Sequence, residues 1–317
     1  MQVITFRLKL VNKERLLSAP PVGYYKNIRT SGQEEAFMEY VTLNNGIKMP
    51  ILGYGVFQVK GEECERCVQD AISVGYRAID TAQSYGNEEE VGKAVRRSGV
   101  PRSELFLTTK VWITNGGYEN AKASLRESLQ KLQTEYIDLV LIHQPFNDYY
   151  GTYRAMEEAY REGWIRAIGV SNFYPDRLVD LCSFAEVCPA VNQVETHVFQ
   201  QQQKAHEYMV KYGVQHESWG PFAEGRKDFF TNPVLNEIGQ KYNKSAAQTA
   251  LRFLIQSDVV VIPKSTHKER MIQNMDIFDF ALNEQDMEEI RKLDEKESLF
   301  FSHYDPATVE MMVGLKR

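Results

Sequence analysis

From Met38 onward, short apolar runs rich in β-branched residues alternate with longer stretches whose apolar residues recur at helical spacing. The runs are ILGYGVF (51–57), RAIDTA (77–82), LFLTTKVW (105–112), YIDLVLIH (136–143), IRAIGVS (165–171), PAVNQVE (189–195), VQHESW (214–219) and VVVIPKS (259–265). Helix-like text lies between them, as in 117–132, 152–163 and one long stretch over 232–256. Near-continuous apolar strands separated by helices predict a parallel sheet covered on both faces. Eight such units fit a closed (β/α)8 TIM barrel of the α/β class better than an open doubly wound sheet. Asn45-Gly46 between two short apolar runs predicts an N-terminal β-hairpin. A last helix over 282–297 and an aromatic-rich tail, LFFSHYDP, follow the eighth unit, so extra C-terminal helices are expected.

Residues 1–37 break the pattern, with a basic stretch, then Ala-Pro-Pro, then SGQEE. They read as a poorly ordered extension or a misassigned start, which leaves 38–317 as one barrel domain. The N-terminus mixes charges into every apolar run and so lacks a secretory signal, and no run approaches the roughly 18 apolar residues of a membrane span. Thirty-seven basic against 43 acidic residues give a formal charge of −6, which argues against nucleic-acid or membrane partners. Four cysteines in a chain this long fit a reducing, cytoplasmic setting. Cys64 and Cys67 form a C-x-x-C on a helix without thioredoxin context, Cys182 and Cys188 read as ordinary buried thiols, and no histidine pair has zinc-ligand spacing, so no metal is expected.

Polar residues close the apolar runs. Asp80 ends the second, Lys110 and Trp112 the third, His143 the fourth, Ser171 and Asn172 the fifth, Gln193 and Glu195 the sixth, Trp219 the seventh, and Lys264 and Ser265 the eighth. In a parallel barrel these ends open on one face, where active sites form. Singly, each residue has an ordinary structural reading: a buried ion pair, a satisfied core histidine, surface packing for Tyr85. Together they make an acid-base site. A free phenol is a sluggish acid with a pKa of about 10; Lys110 in contact is expected to lower that of Tyr85, with Asp80 keeping the ammonium charged. His143 can hold a substrate oxygen against the phenol while charge develops on it.

The text from about Met38 resembles the aldo-keto reductase family, and is similar to its bacterial 2,5-diketogluconate reductase-like branch. The matching motifs are RAIDTAQSYGNEEEVG, LFLTTKVW, YIDLVLIHQP, IRAIGVSNF, PAVNQVETH, ESWGPFAEG and VVVIPKSTHKERMIQN, in order across seven of the eight strands. The resemblance implies a TIM barrel that reduces aldehydes or ketones with NADPH, Tyr85 as general acid, Asp80 and Lys110 tuning it, and His143 orienting the carbonyl. It further implies a monomer. Gln144 departs from the tryptophan common in this branch and removes an indole near the pocket.

Ser171, Asn172 and Gln193 are assigned by resemblance to the nicotinamide carboxamide, and Trp219 to stacking on its ring. Lys264, Lys268 and Arg270, beside Ser265 and Thr266 and ahead of a short helix, form a basic cluster suited to a phosphate. By resemblance Lys264, Ser265 and Arg270 grip the adenosine 2′-phosphate, so NADH is less favoured, and Asn274 meets the adenine. Val56, Phe57, Gly220, Phe222, Thr266 and Gln273 complete the implied cofactor surface, with glutamine where many relatives have glutamate at 273. Phe57, Trp112, His143 and Phe146 line the implied substrate side. The loop after the seventh strand is short, without a strap, which suggests easy cofactor exchange. GYGVFQ lacks the third glycine of a dinucleotide fingerprint, so an open dinucleotide-binding sheet loses its support. The competing reading is a cofactor-binding redox sensor with little turnover; the complete acid-base set favours the enzyme.

Overall fold

The computed structural model describes residues 38–315; the extension expected at 1–37 lies outside them. The chain opens with a hairpin, β1 (Tyr40–Thr42) and β2 (Lys48–Pro50), paired antiparallel. Gly46 takes φ +85° at its turn, a left-handed position glycine adopts without steric cost. Asn44 and Asn45 donate side-chain hydrogen bonds to the carbonyls of Pro189 and Arg166. Those residues enter strands of the barrel, so the hairpin closes the floor.

Eight strands follow, all parallel and in sequence order: β3 (Tyr54–Gly55), β4 (Ala78–Asp80), β5 (Phe106–Val111), β6 (Ile137–Ile142), β7 (Ile165–Ser171), β8 (Val191–Glu195), β9 (Gln215–Trp219) and β10 (Val260–Val261). The ring closes where Leu52 bridges Val261 in parallel, with Gly53 donating to the Val261 carbonyl and Val261 to that of Ile51. Each predicted strand is present, and β5, β6 and β8 are buried at every position. Burial on both faces is why β6 reads as a near-continuous apolar run, while β5 and β8 bury threonine, lysine, asparagine, glutamine and glutamate among their apolar residues. Gly169 permits close strand packing, since a Cβ there would meet the Val191 carbonyl oxygen at 2.6 Å.

Helices α1 (Gly61–Ser73), α2 (Glu88–Arg97), α3 (Tyr118–Lys131), α4 (Tyr149–Arg161), α5 (Pro175–Phe184) and α6 (Gln203–Tyr212) connect the strands. The long helix expected over 232–256 is two, α7 (Pro233–Lys241) and α8 (Ala246–Gln256). Asn243 breaks it with φ +57°, and Ser245 restarts it through a reciprocal capping box with Gln248. α9 (Lys268–Met275) follows β10. The helix expected over 282–297 shrinks to α10 (Glu284–Arg291), and the tail ends in α11 (Pro306–Gly314). No helix among the described residues is long and apolar enough to cross a membrane. Cys64 and Cys67 are buried on α1, as a helical pair should be. Cys182 and Cys188 are only half-buried and their sulfurs stand 3.2 Å apart, a proximity their sequence spacing did not announce.

Candidate active site

The loop after β4 is built to present a phenol. Residues Gln83–Tyr85 form a single 3-10 turn that Gly86 ends at φ +67°. Asn87 pins its far side, accepting from the Thr81 hydroxyl and donating to the carbonyls of Val56 and Val59. Gln83 pins its near side, donating to Ser124 and Ser128 and accepting from the Trp112 amide and Asn115. Every polar group of the turn's base is thereby satisfied in a part-buried place, which holds Tyr85 still.

Lys110, 0% exposed near the end of β5, reaches under this turn. Its Nζ donates to Asp80 Oδ1 at 2.5 Å, to the Thr81 carbonyl at 3.0 Å and to the Tyr85 hydroxyl at 3.5 Å. His143, just past β6, faces the Tyr85 ring at 5.6 Å and the Trp112 ring at 5.0 Å, and its Nδ1 lies 3.3 Å from Ser84 Oγ. Phe57, 47% exposed, stands over Tyr85 at 5.0 Å. Asp80, Lys110 and His143 from the strand ends and Tyr85 from the loop thus meet at one point of the barrel mouth.

The electrostatics differ from the expectation in one respect. Burial raises the Tyr85 pKa, and the lowering pull of Lys110 does not overcome it, because Asp80 and the buried Glu217 oppose that pull. The phenol is therefore firmly protonated. Burial also disfavours the Lys110 ammonium, but Asp80, Tyr85 and Glu217 together outweigh this and hold its pKa above the usual lysine value. Burial, and then the Lys110 charge, drive His143 well below its ordinary range, so its ring is neutral.

A second layer lies on β7, β8 and β9. Gln193 Nε2 donates to Asp80 Oδ2 and to Glu217 Oε2, both at 3.0 Å. Ser171 Oγ donates to the Gln193 carbonyl, and Asn172 donates to Ser171 Oγ and the His143 carbonyl. Trp219, at the end of β9, donates its indole N–H to Asn172 Oδ1 at 2.9 Å and stacks on Phe301 of the tail, centroids 5.5 Å apart. Gly220 bends the chain away at φ +66°, and Phe222 packs on Phe229 and Phe230. Val56 is buried, its amide on the Asp80 carbonyl.

The basic cluster stands apart, around the start of α9. Lys264, Arg270 and Gln273 are exposed, Thr266 is half-buried, and Ser265 is buried with its carbonyl accepting from Tyr54. Asn274 faces inward and is buried, while Lys268 pairs with Asp70 of α1 at 3.4 Å.

Three features escaped the sequence reading. Glu217 sits beneath Gln193 within β9, Gln215–Trp219, where it is one of several polar residues and no spacing marks it out. The tail is wired to the mouth: Glu195 accepts from the Leu299 amide and from Ser298, and Arg226 of the short seventh loop donates to the Leu299 carbonyl. His303 meets Gln144 at 2.7 Å and the Phe146 ring at 5.1 Å, so a tail imidazole stands against the glutamine that replaces the expected indole. A cavity of about 1180 Å³ opens on the tail side of Trp219 and Asn172, bounded by α5, α6 and residues 294–308, away from Tyr85 and Lys264.

The chain is similar in sequence and fold to known proteins. Residues 51–295 match the model of the aldo/keto reductase family. Glyoxal reductase of Bacillus subtilis is 48% identical over 259 residues, covering 81% of this chain and 93% of that protein. The structure superposes on MGS-M4, an aldo-keto reductase from a deep-sea metagenome library, with a TM-score of 0.82 and 44% identity over 84% of this chain and 98% of that one. A Bombyx mori aldo-keto reductase solved in complex with NADP gives a TM-score of 0.78 at 33% identity, over 83% of this chain and 94% of that one. Matched across this span and at this identity, the chain belongs to the aldo/keto reductase family.

Proposed function

We propose that this protein reduces aldehydes or ketones to alcohols with NADPH, Tyr85 giving the proton to the carbonyl oxygen. The observation that carries the reading is the contact set of one buried ammonium: Lys110 Nζ touches both Asp80 and the Tyr85 hydroxyl at the barrel mouth. A protonated phenol beside a fixed cation can release its proton as negative charge grows on a neighbouring oxygen. His143 is neutral; in the tautomer whose Nδ1 accepts from Ser84, Nε2 carries the proton and can donate to that same oxygen.

The residues present fit a nicotinamide dinucleotide. The Gln193 nitrogen is consumed by two carboxyl groups, which leaves Oε1 to accept from an amide, and Asn172 Oδ1 has a second lone pair. Ser171 ties the Asn172 side chain to the Gln193 backbone, accepting from the one and donating to the carbonyl of the other. Trp219 offers a ring, and exposed Lys264 and Arg270, with Ser265, Thr266 and Gln273, suit a phosphate and its adenosine; Val56, Phe57, Gly220 and Phe222 form the wall between. Buried Asn274 would reach the adenine only by its outer edge. NADPH, when bound, supplies the hydride. Phe57, Trp112 and His143 bound the substrate side. The glyoxal reductase relative favours small, reactive carbonyl compounds as substrates. The acidic balance and free cysteines support a cytoplasmic setting without nucleic-acid or membrane partners, and the family resemblance supports a monomer.

The test is NADPH oxidation at 340 nm against glyoxal, methylglyoxal, sugars and aromatic aldehydes, with NADH in parallel. Turnover with at least one carbonyl and preference for NADPH are expected. No turnover with any, while NADPH still binds, would leave a binding protein instead.

A further inference from the structure

We propose that Glu217, a residue the acid-base set does not include, is a positioning residue for this reaction: from beneath the mouth it fixes the Gln193 amide and sets the charge behind Tyr85. The proposal rests on the reading of Tyr85 as the acid.

The geometry comes first. Glu217 lies in the middle of β9, 0% exposed, between neighbours β8 and β10. Its Oε2 accepts from Gln193 Nε2 at 3.0 Å, and its Oε1 has no partner. Gln193 Nε2 gives its other hydrogen to Asp80, which itself holds Lys110. A continuous line of contacts therefore runs from Glu217 through Gln193, Asp80 and Lys110 to the Tyr85 hydroxyl. Asp80, paired with an ammonium, can only accept, so the amide nitrogen must face the two acids and its oxygen must face away. Without Glu217, one N–H of Gln193 would lose its acceptor and the amide would be free to turn.

Charge follows from the same placement. The buried space behind Tyr85 holds one cation, Lys110 of β5, and two acids, Asp80 of β4 and Glu217 of β9; β8 contributes Gln193, a neutral donor, and β10 contributes two valines. Two carboxylates cannot both ionise cheaply beside a single ammonium in an apolar interior. Burial, and then the Asp80 charge, push the Glu217 acid up to about 8, against the pull of Gln193 and Lys110. Glu217 is then neutral at pH 7 and ionises in mild alkali. Its charge raises the Tyr85 pKa, so the phenol keeps its proton further into the alkaline range than Asp80 and Lys110 alone would allow. The phenol thereby stays available as a proton donor for carbonyl reduction as pH rises.

Two variants separate the roles. Glu217→Gln keeps the volume and an acceptor for Gln193 but cannot ionise; the alkaline limb of the reduction profile (kcat/KM against pH) should move down by about one pH unit. Glu217→Leu removes the acceptor as well, and its NADPH Kd should rise about tenfold, as expected when a buried donor is left unpaired. Tyr85→Phe is the control: if the limb survives in it, the limb is not the phenol's and the acid assignment fails instead. With that control abolishing the limb, a folded Glu217→Gln enzyme whose profile overlays the parent's overturns the charge role. A folded Glu217→Leu enzyme with unchanged NADPH affinity overturns the anchoring role. If Glu217→Leu does not fold, the Glu217→Gln profile alone decides.

Discussion

At the ends of β4 and β5 the charged groups are buried and bonded to each other, whereas around β10 and the start of α9 they face water. Lys110 is enclosed with Asp80 at 2.5 Å; Lys264 and Arg270 are exposed and form no ion pair among the described residues. The first cluster is assembled before any ligand arrives. Its desolvation has already been offset by hydrogen bonds, so its field acts at nearly full strength on a neighbouring proton. The second is screened by water and salt, and gains its strength only when a phosphate excludes solvent. On the proposed reading, chemistry belongs to the first and recognition to the second.

The largest effect comes from breaking the enclosed pair. Lys110→Met leaves Asp80 buried without its cation, so stability should fall by roughly 3–5 kcal/mol, and turnover should fall about a thousandfold or more. Urea denaturation and the 340 nm assay read the two losses, and a variant with parental stability and rate would erase the contrast between the clusters. Arg270→Ala should weaken NADPH about 10- to 100-fold and leave NADH within a few-fold; fluorescence titration with both cofactors checks this, and equal losses would remove Arg270 from the phosphate.

The enclosed region should also dominate the response to acid. Burial holds His143 well below its ordinary value, His216 at about 3 and His303 at about 4. A histidine with a depressed pKa stabilises the fold above its unfolded value of about 6.5 and loses that contribution as pH falls toward the folded value. Tm should therefore decline from pH 6.5 towards 4, and the same decline should persist in Arg270→Ala. A flat Tm over that range would contradict the burial of these rings. The smallest effect concerns the tail. His303→Ala removes one hydrogen bond to Gln144 and should change KM for a small dicarbonyl about two- to fivefold, with kcat nearly fixed.

The difference between buried and exposed regions also explains what the sequence disclosed. A barrel strand is covered on both faces, so β6 announces itself as a near-continuous apolar run, and Asp80, Lys110 and His143 stand out as polar residues at the ends of β4, β5 and β6. Convergence follows from parallel topology alone. Features that depend on side-chain environment were hidden. The break between α7 and α8 turns on the backbone of Asn243 within text that is amphipathic throughout. Glu217 became visible only when β8 set Gln193 beside it. The direction of the Tyr85 shift needed the balance of burial against Lys110, and contact with a cation suggested the opposite sign. Likewise His303 and Cys188 find their partners through the packing of the tail and of the loop before β8, for which no local pattern exists.

Single-turnover reduction by Tyr85→Phe, with NADPH binding followed by fluorescence in the same samples, bears most directly on the central claim. Removing one hydroxyl while keeping the ring should leave the cofactor Kd within about threefold and slow reduction by at least about a hundredfold. A variant that binds NADPH and reduces its substrate at close to the parental rate would contradict the assignment of Tyr85 as the acid.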